Sequence, residues 1–190
     1  CIRDRTKCDA IKAVAFTNGK RLSPVKIVSK SETVEAPYRR YLAIAALLIV
    51  GLDQFTKILA VEKLEGRAPI ELIWTLQLNT TRNKGASFSL GTEYTSLLAV
   101  VALLAAVGII YLSKTATSSL EMTLFGVVLG GVLGNVTDRI FRSSNGFLNG
   151  GVVDFIDLQW WPIFNVADMA LVLGLPSLGI MMLKDGRESE

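Results

Sequence analysis

The 190-residue chain contains no histidine. That excludes a Ser-His-Asp triad, a Cys-His pair and an HExxH zinc site. Cysteine is nearly absent too: Cys1 and Cys8 are the only two, too few for a four-ligand zinc cluster. No Walker or dinucleotide-type glycine loop stands in a strand-to-helix setting. Neither a metal nor a cofactor is expected. With imidazole missing and thiols confined to one end, carboxylates become the natural place to look for acid–base chemistry.

Charge is missing from long stretches. Ser96 to Leu112 carries none, and neither does Met122 to Thr137. A helix in a soluble core would show a polar stripe, and these runs do not. Hydrophobic residues make up 51% of the chain, and the mean hydropathy is +0.43. The apolar residues fall in four blocks, at about 41–61, 96–112, 122–138 and 164–183. Each approaches the roughly 20 residues needed to cross a bilayer. The expected fold is an all-α membrane protein with four transmembrane helices.

Basic residues set the expected orientation. Residues 1–40 hold ten Lys/Arg against four acids, so this segment reads as a cytoplasmic tail. It lacks helical periodicity and is expected to be mostly disordered. Its two cysteines are then reduced and incidental. No removable leader is expected, because the first apolar block begins late and lacks a small-residue cleavage site. The organisation is a basic tail over 1–40, a membrane domain over 41–183 and a cytoplasmic C-terminal tail over 184–190. Both termini lie inside, and segments 62–95 and 139–163 lie outside.

The first outer segment contains the β-prone run Ile70 to Leu78, followed by Thr80 to Phe88, which predicts a small extracytoplasmic sheet or hairpin. Trp74, Trp160 and Trp161 sit near helix ends, as an interfacial aromatic belt would. Gly126, Gly130, Gly131 and Gly134 permit close helix approach in lipid. Helix 1 starts near Tyr41 and helix 4 near Phe164. The short link Ser113 to Glu121 makes helices 2 and 3 antiparallel neighbours.

The aspartates carry the chemistry. Asp53 and Lys57 are four apart and share a helix face, so they can pair. Two runs share one spelling: Asn135-Val136-Thr137-Asp138 and Asn165-Val166-Ala167-Asp168. Three-residue spacing puts each asparagine on the same helix face as its aspartate. Asp154 lies in a loop whose glycines, Gly150 and Gly151, allow the backbone to fold back toward the helices. Asp157 has no motif around it and is left solvated. Two carboxylates brought together share a proton; one then activates water while the other protonates the departing group. The residues alone leave open which two of Asp138, Asp154 and Asp168 form such a dyad. They also leave open a proton or cation relay, or a membrane assembly factor that binds through the outer sheet. Each acid taken singly has a plainer reading, as a helix-end ion pair, an interface marker or a first-turn acid.

Five pieces in order are similar to the lipoprotein signal peptidases (signal peptidase II) of bacteria. They are Asp53-Gln54-Phe55-Thr56-Lys57, Asn83-Lys84-Gly85-Ala86-Ser87-Phe88, Gly134-Asn135-Val136-Thr137-Asp138-Arg139, Val152-Val153-Asp154-Phe155 and Phe164-Asn165-Val166-Ala167-Asp168. The resemblance runs from Tyr41 to Leu183. It implies an aspartic endopeptidase in the bacterial cytoplasmic membrane, with its active site at the outer face. Such an enzyme removes signal peptides from prolipoproteins, cutting before a cysteine that carries diacylglycerol. Asp154 and Asp168 would be the catalytic pair. Asp53, Lys57, Asn83, Gly85, Asn135, Asp138, Arg139 and Asn165 would bind substrate or support the pair, with Asn83 and Arg139 on the substrate backbone. The sheet near 70–90 would resemble the family's substrate cradle. Expected partners are diacylated prolipoproteins, membrane lipid and globomycin-type inhibitors, with no nucleic acid. Phe141 to Gly151 resembles an insertion in the outer loop.

Overall fold

An apolar segment in lipid must satisfy its own backbone hydrogen bonds, and a helix does so within one segment. In the computed structural model the described residues are 16–17, 20–21, 36–85, 95–143 and 146–187. Cys1, Cys8, Ala86, Ser87, Phe88, Ser144 and Asn145 lie outside them. Four described helices are long and apolar enough to cross a membrane: Tyr38–Leu64, Thr95–Thr115, Ser119–Phe141 and Val166–Lys184. They belong to α1 (Ala36–Leu64), α2 (Thr95–Leu112, continued by a short 3-10 turn over Ser113–Thr115), α3 (Ser119–Phe141) and α4 (Val166–Arg187). Their outward faces carry Leu47, Leu104, Val107, Val172 and Leu173, all exposed. Asp53, Lys57 and Asp138 are fully buried. Apolar residues outside and charged residues inside is the arrangement expected where the surroundings are lipid.

Helix α3 packs against α1, α2 and α4. Glycines bring it close. A Cβ at Gly130 would come within 2.7 Å of Ile49 Cβ, and one at Gly131 within 2.7 Å of the Ala167 carbonyl. Small residues continue the seam on α1, where Ala46 is buried with Leu129, Val132 and Val136 of α3. Dispersion forces act at this distance, and lipid offers no competing hydrophobic drive. The start of α3 is capped: Ser118 Oγ accepts from the Glu121 amide at 3.2 Å, and Glu121 Oε2 accepts from the Thr117 amide at 2.5 Å. This satisfies donors that the first turn leaves free.

Three antiparallel strands stand over one end of the bundle, in the order β3 (Ile70–Ile73), β4 (Leu76–Asn83) and β5 (Val152–Asp157). The register pairs Thr81 with Asp154, Arg82 with Val153 and Asn83 with Val152, after an irregularity between Leu78 and Thr81. The hairpin read from the first outer segment is therefore two-thirds of the sheet. The last turns of α1 carry it: Ala60 and Leu64 pack with Phe155, Leu78, Ile156 and Val166. Trp74, Trp160 and Trp161 are exposed beside it. Trp74 holds φ 54° at the β3–β4 turn, a conformation that costs a non-glycine residue energy.

Several expectations need correction. Asp154 is in strand β5, not a loop, because the β-branched residues Val152, Val153 and Ile156 pair with β4 while Val152, Val153 and Phe155 are buried. The flanking glycines obscured that strand. Asp157 is buried, accepting from Gln77 Nε2 at 2.6 Å and the Gln159 amide at 2.7 Å. Helix α1 begins at Ala36, ahead of Tyr41. Helix α4 begins at Val166, because Phe164 is still paired with Ile156 and Asn165 forms the cap. Apart from these corrections, Phe16–Thr17 (β1) pairs antiparallel with Lys20–Arg21 (β2).

Candidate active site

The charged residues of α1 and α3 meet in a closed cluster around one ammonium. Lys57 Nζ lies 2.8 Å from Asp53 Oδ2, 2.9 Å from Asp138 Oδ2 and 3.0 Å from Asn135 Oδ1. The expected Asp53–Lys57 pair is present, with Asp138 as a second carboxylate. Asp138 also accepts from Arg142 Nε at 2.9 Å, Gln54 Nε2 at 3.1 Å and the Val153 amide at 3.0 Å. Four donors occupy its two oxygens. Asp53 Oδ1 accepts from the Ala167 amide at 3.0 Å, so an acid from α1 sits at the N-terminus of α4. Two carboxylates face two cations, and the cluster is neutral. Burial of unpaired charge would be prohibitive here; paired and saturated, it is tolerated.

Gly134 makes this possible. A Cβ there would lie 2.7 Å from Asp53 Oδ2. Gln54 and Arg142 belong to the cluster, although neither was singled out as a site residue. The signal was available for Arg142, which stands four residues after Asp138 on the same helix face. Gln54 offers no comparable signal, because one residue past Asp53 is a different face.

The second group is made of aspartates and asparagines. Asn165 caps α4: its Oδ1 accepts from the Asp168 amide at 3.0 Å, and Asp168 Oδ2 accepts from the Asn165 amide at 3.2 Å. This is a reciprocal capping box. The Asn165 side-chain nitrogen then donates to Asp154 Oδ1 at 2.6 Å and to Asn135 Oδ1 at 3.2 Å. Asn135 Nδ2 donates to Asp168 Oδ1 at 2.8 Å. The two Asn-x-x-Asp runs thus interlock, and both asparagines bind Asp168. Asp154 is buried, whereas Asp168 keeps partial solvent exposure. Burial, and then the neighbouring Asp168 carboxylate, push the Asp154 carboxyl up to about 7. Hydrogen bonds from Asn83 and Asn165 pull the other way.

The remaining expected residues surround this pair. Asn83 Oδ1 accepts from the Gly85 amide at 2.9 Å, which turns the Asn83 side chain toward Asp154. Gly85 has φ +108°, open to glycine and strained for other residues. Arg139 is near enough to Asp154, Asp138 and Asp168 to interact electrostatically. Its Nη1 is a buried donor with no acceptor among the described residues. All ten site residues read from the sequence therefore fall in one connected region, split between a saturated ion cluster and a carboxylate pair held by amides.

Fold and site define a class: membrane-spanning helical proteins with two neighbouring carboxylates beneath a small sheet. The pattern of the signal peptidase (SPase) II family matches residues 45–184. The chain is 41% identical over 146 residues to a lipoprotein signal peptidase of Rhodococcus jostii, covering 76% of this chain and 73% of that one. It is 40% identical over 155 residues to the lipoprotein signal peptidase of Mycobacterium tuberculosis, covering 78% and 74%. A solved structure described as a bacterial membrane enzyme, determined in meso, superposes with a TM-score of 0.67 at 25% identity, covering 78% of this chain and 91% of that one. The chain belongs to the signal peptidase II family, and it is a multi-pass membrane protein. Of the readings that the residues alone left open, this membership favours the peptidase over the relay and the assembly factor.

Proposed function

We propose that this protein is an intramembrane aspartic endopeptidase that removes signal peptides from diacylglyceryl-modified prolipoproteins, cutting before the lipidated cysteine. The observation that carries the reading is Asn165 joining Asp154 to Asp168. Asp154, with its carboxyl raised to about 7, holds the proton near neutral pH. Asp168, partly open to solvent, takes a proton from water as the water oxygen attacks the scissile carbonyl carbon. Asp154 gives its proton to the carbonyl oxygen, and a tetrahedral diol forms. The amide nitrogen then takes the proton from Asp168, one diol hydroxyl gives its proton to Asp154 as the C–N bond breaks, and an acid and an amine leave. The dyad again holds one proton.

Arg139 Nη1 and the Asn83 side chain hold the substrate backbone in this reading. The sheet and the turn at Gly85 form the cradle above them. The site faces the extracytoplasmic side of the bacterial cytoplasmic membrane, both termini face the cytoplasm, and surrounding lipid delivers the diacylated substrate. Globomycin-type compounds would compete for the same place.

The test incubates detergent-purified protein with a diacylated prolipoprotein and follows leader release, with and without globomycin. Asp154→Asn and Asp168→Asn should each reduce turnover by about 10³-fold or more, the scale of a lost general acid or base. Both variants should still insert. Wild-type turnover in either removes that residue from the dyad.

A further inference from the structure

The ion cluster touches the carboxylate pair at three points, and all three start from Lys57. The first arm is direct: Lys57 Nζ donates to Asn135 Oδ1 at 3.0 Å, and Asn135 Nδ2 donates to Asp168 Oδ1 at 2.8 Å. An amide has distinct ends, so an ammonium on the oxygen obliges the NH2 group to face Asp168. The second arm runs through Asp53, which accepts from the amide of Ala167, the residue before Asp168. The third runs through Asp138, which accepts from the amide of Val153, the residue before Asp154. A fully buried ammonium on α1 therefore reaches both aspartates through intermediate side chains and backbone amides.

We infer that Lys57 is a positioning residue for the dyad, acting chiefly through Asn135 to hold Asp168 in its hydrolytic orientation. Charge balance alone does not require this arrangement. An ammonium could neutralise Asp53 and Asp138 from many directions, but only one in reach of Asn135 selects the end of that amide presented to Asp168. Without it, the Asn135 oxygen retains, among the described residues, only the 3.2 Å bond from Asn165, whose nitrogen is shared with Asp154. The amide is then held in this orientation by fewer and weaker bonds, so the Asn135 donor is placed less firmly against Asp168. The inference rests on the Asp154–Asp168 reading above.

The test separates positioning from scaffolding. Lys57→Met alone leaves the cluster with an unbalanced negative charge and is a poor reagent. Lys57→Met with Asp53→Asn keeps the charge balanced, because Asp138 still faces Arg142. That double variant, Asn135→Ala and the combination of all three are measured for kcat, KM and thermal unfolding in detergent, with a diacylated prolipoprotein peptide. The double variant should fold and lose about 100-fold in kcat, the scale of a small misplacement of reacting groups, with KM little changed. In the Asn135→Ala background the same two changes should cost under about 3-fold, since the arm they act through is already cut. Losses that multiply independently overturn the inference. So does wild-type kcat in the double variant, and so does failure of the charge-balanced variant to fold, which would make Lys57 scaffold only. Asp154→Asn and Asp168→Asn run alongside: turnover surviving in either sinks the dyad itself, whereas their inactivity combined with independent losses sinks only the role of Lys57.

Discussion

Asp138 and Asp154 are both buried carboxylates at the same end of the bundle, yet they live in opposite electrostatic settings. Asp138 receives an ammonium, a guanidinium, a side-chain amide and a backbone amide. Asp154 receives amides and faces another carboxylate. Two cations and two neutral donors occupy both oxygens of Asp138 and leave no lone pair to spare. Burial, then the like charge of Asp168, raises the Asp154 carboxyl to about 7, where it can keep or release a proton. Burial raises a carboxyl only where cations and donors do not offset it, and at Asp154 the amide donors offset it in part.

That contrast can be broken from either side. Replacing Asp138 by Asn strands cationic partners in a buried setting and should cost about 3 kcal/mol in stability, visible as a lowered unfolding temperature in detergent. Asp154→Asn should show the reverse above pH 7, where it removes a poorly compensated charge. The pH dependence sharpens this. Asp154 binds its proton more tightly folded than at the ordinary value of 3.8, so its stabilising contribution is complete below about pH 4 and is lost as pH rises through about 7. Wild type should lose up to ~1.4 kcal/mol per pH unit relative to Asp154→Asn across that window, read from unfolding at pH 5 and 7. Cleavage by the wild type should likewise fall as pH rises past about 7, because the acid form of Asp154 disappears.

Gly134→Ala should push the Asp53 carboxylate off α3 and cost about 2 kcal/mol, measured by the same unfolding assay. The smallest effect belongs to the bond between Glu65 and Arg82, where Nε and Nη2 meet the two carboxylate oxygens at 2.8 and 3.1 Å but remain exposed. Arg82→Ala should change stability by under about 1 kcal/mol. A large loss there would mean that the sheet end carries more of the stability than its exposure suggests.

Much of the architecture was legible in the residues. Runs without charge announce helices in lipid, because hydrocarbon excludes charge and demands internal hydrogen bonding. The glycines of α3 announced close packing, and Gly130 and Gly131 do lie against neighbouring backbone or side chains. Asp53 and Lys57 were paired by helical spacing alone. Strand β5 was less legible, since Gly150 and Gly151 mimic a loop and its partner β4 lies some 70 residues earlier in the chain. Asp157 was misjudged for the same reason: its neighbour Gln77 arrives across that pairing.

Sequence by itself determined the solvent of this protein, the segments able to span it and the acids available for the fold to bring together, because composition and periodicity act along the chain. Only the tertiary structure decided that Lys57 and Arg142 neutralise Asp138 while Asn165 joins Asp154 to Asp168. Local spacing contributes Arg142 to Asp138, but Lys57 and Asp154 come from α1 and β5. Whether a buried carboxylate meets cations or another acid depends on groups within a few ångströms, and folding alone brings those from distant segments into range.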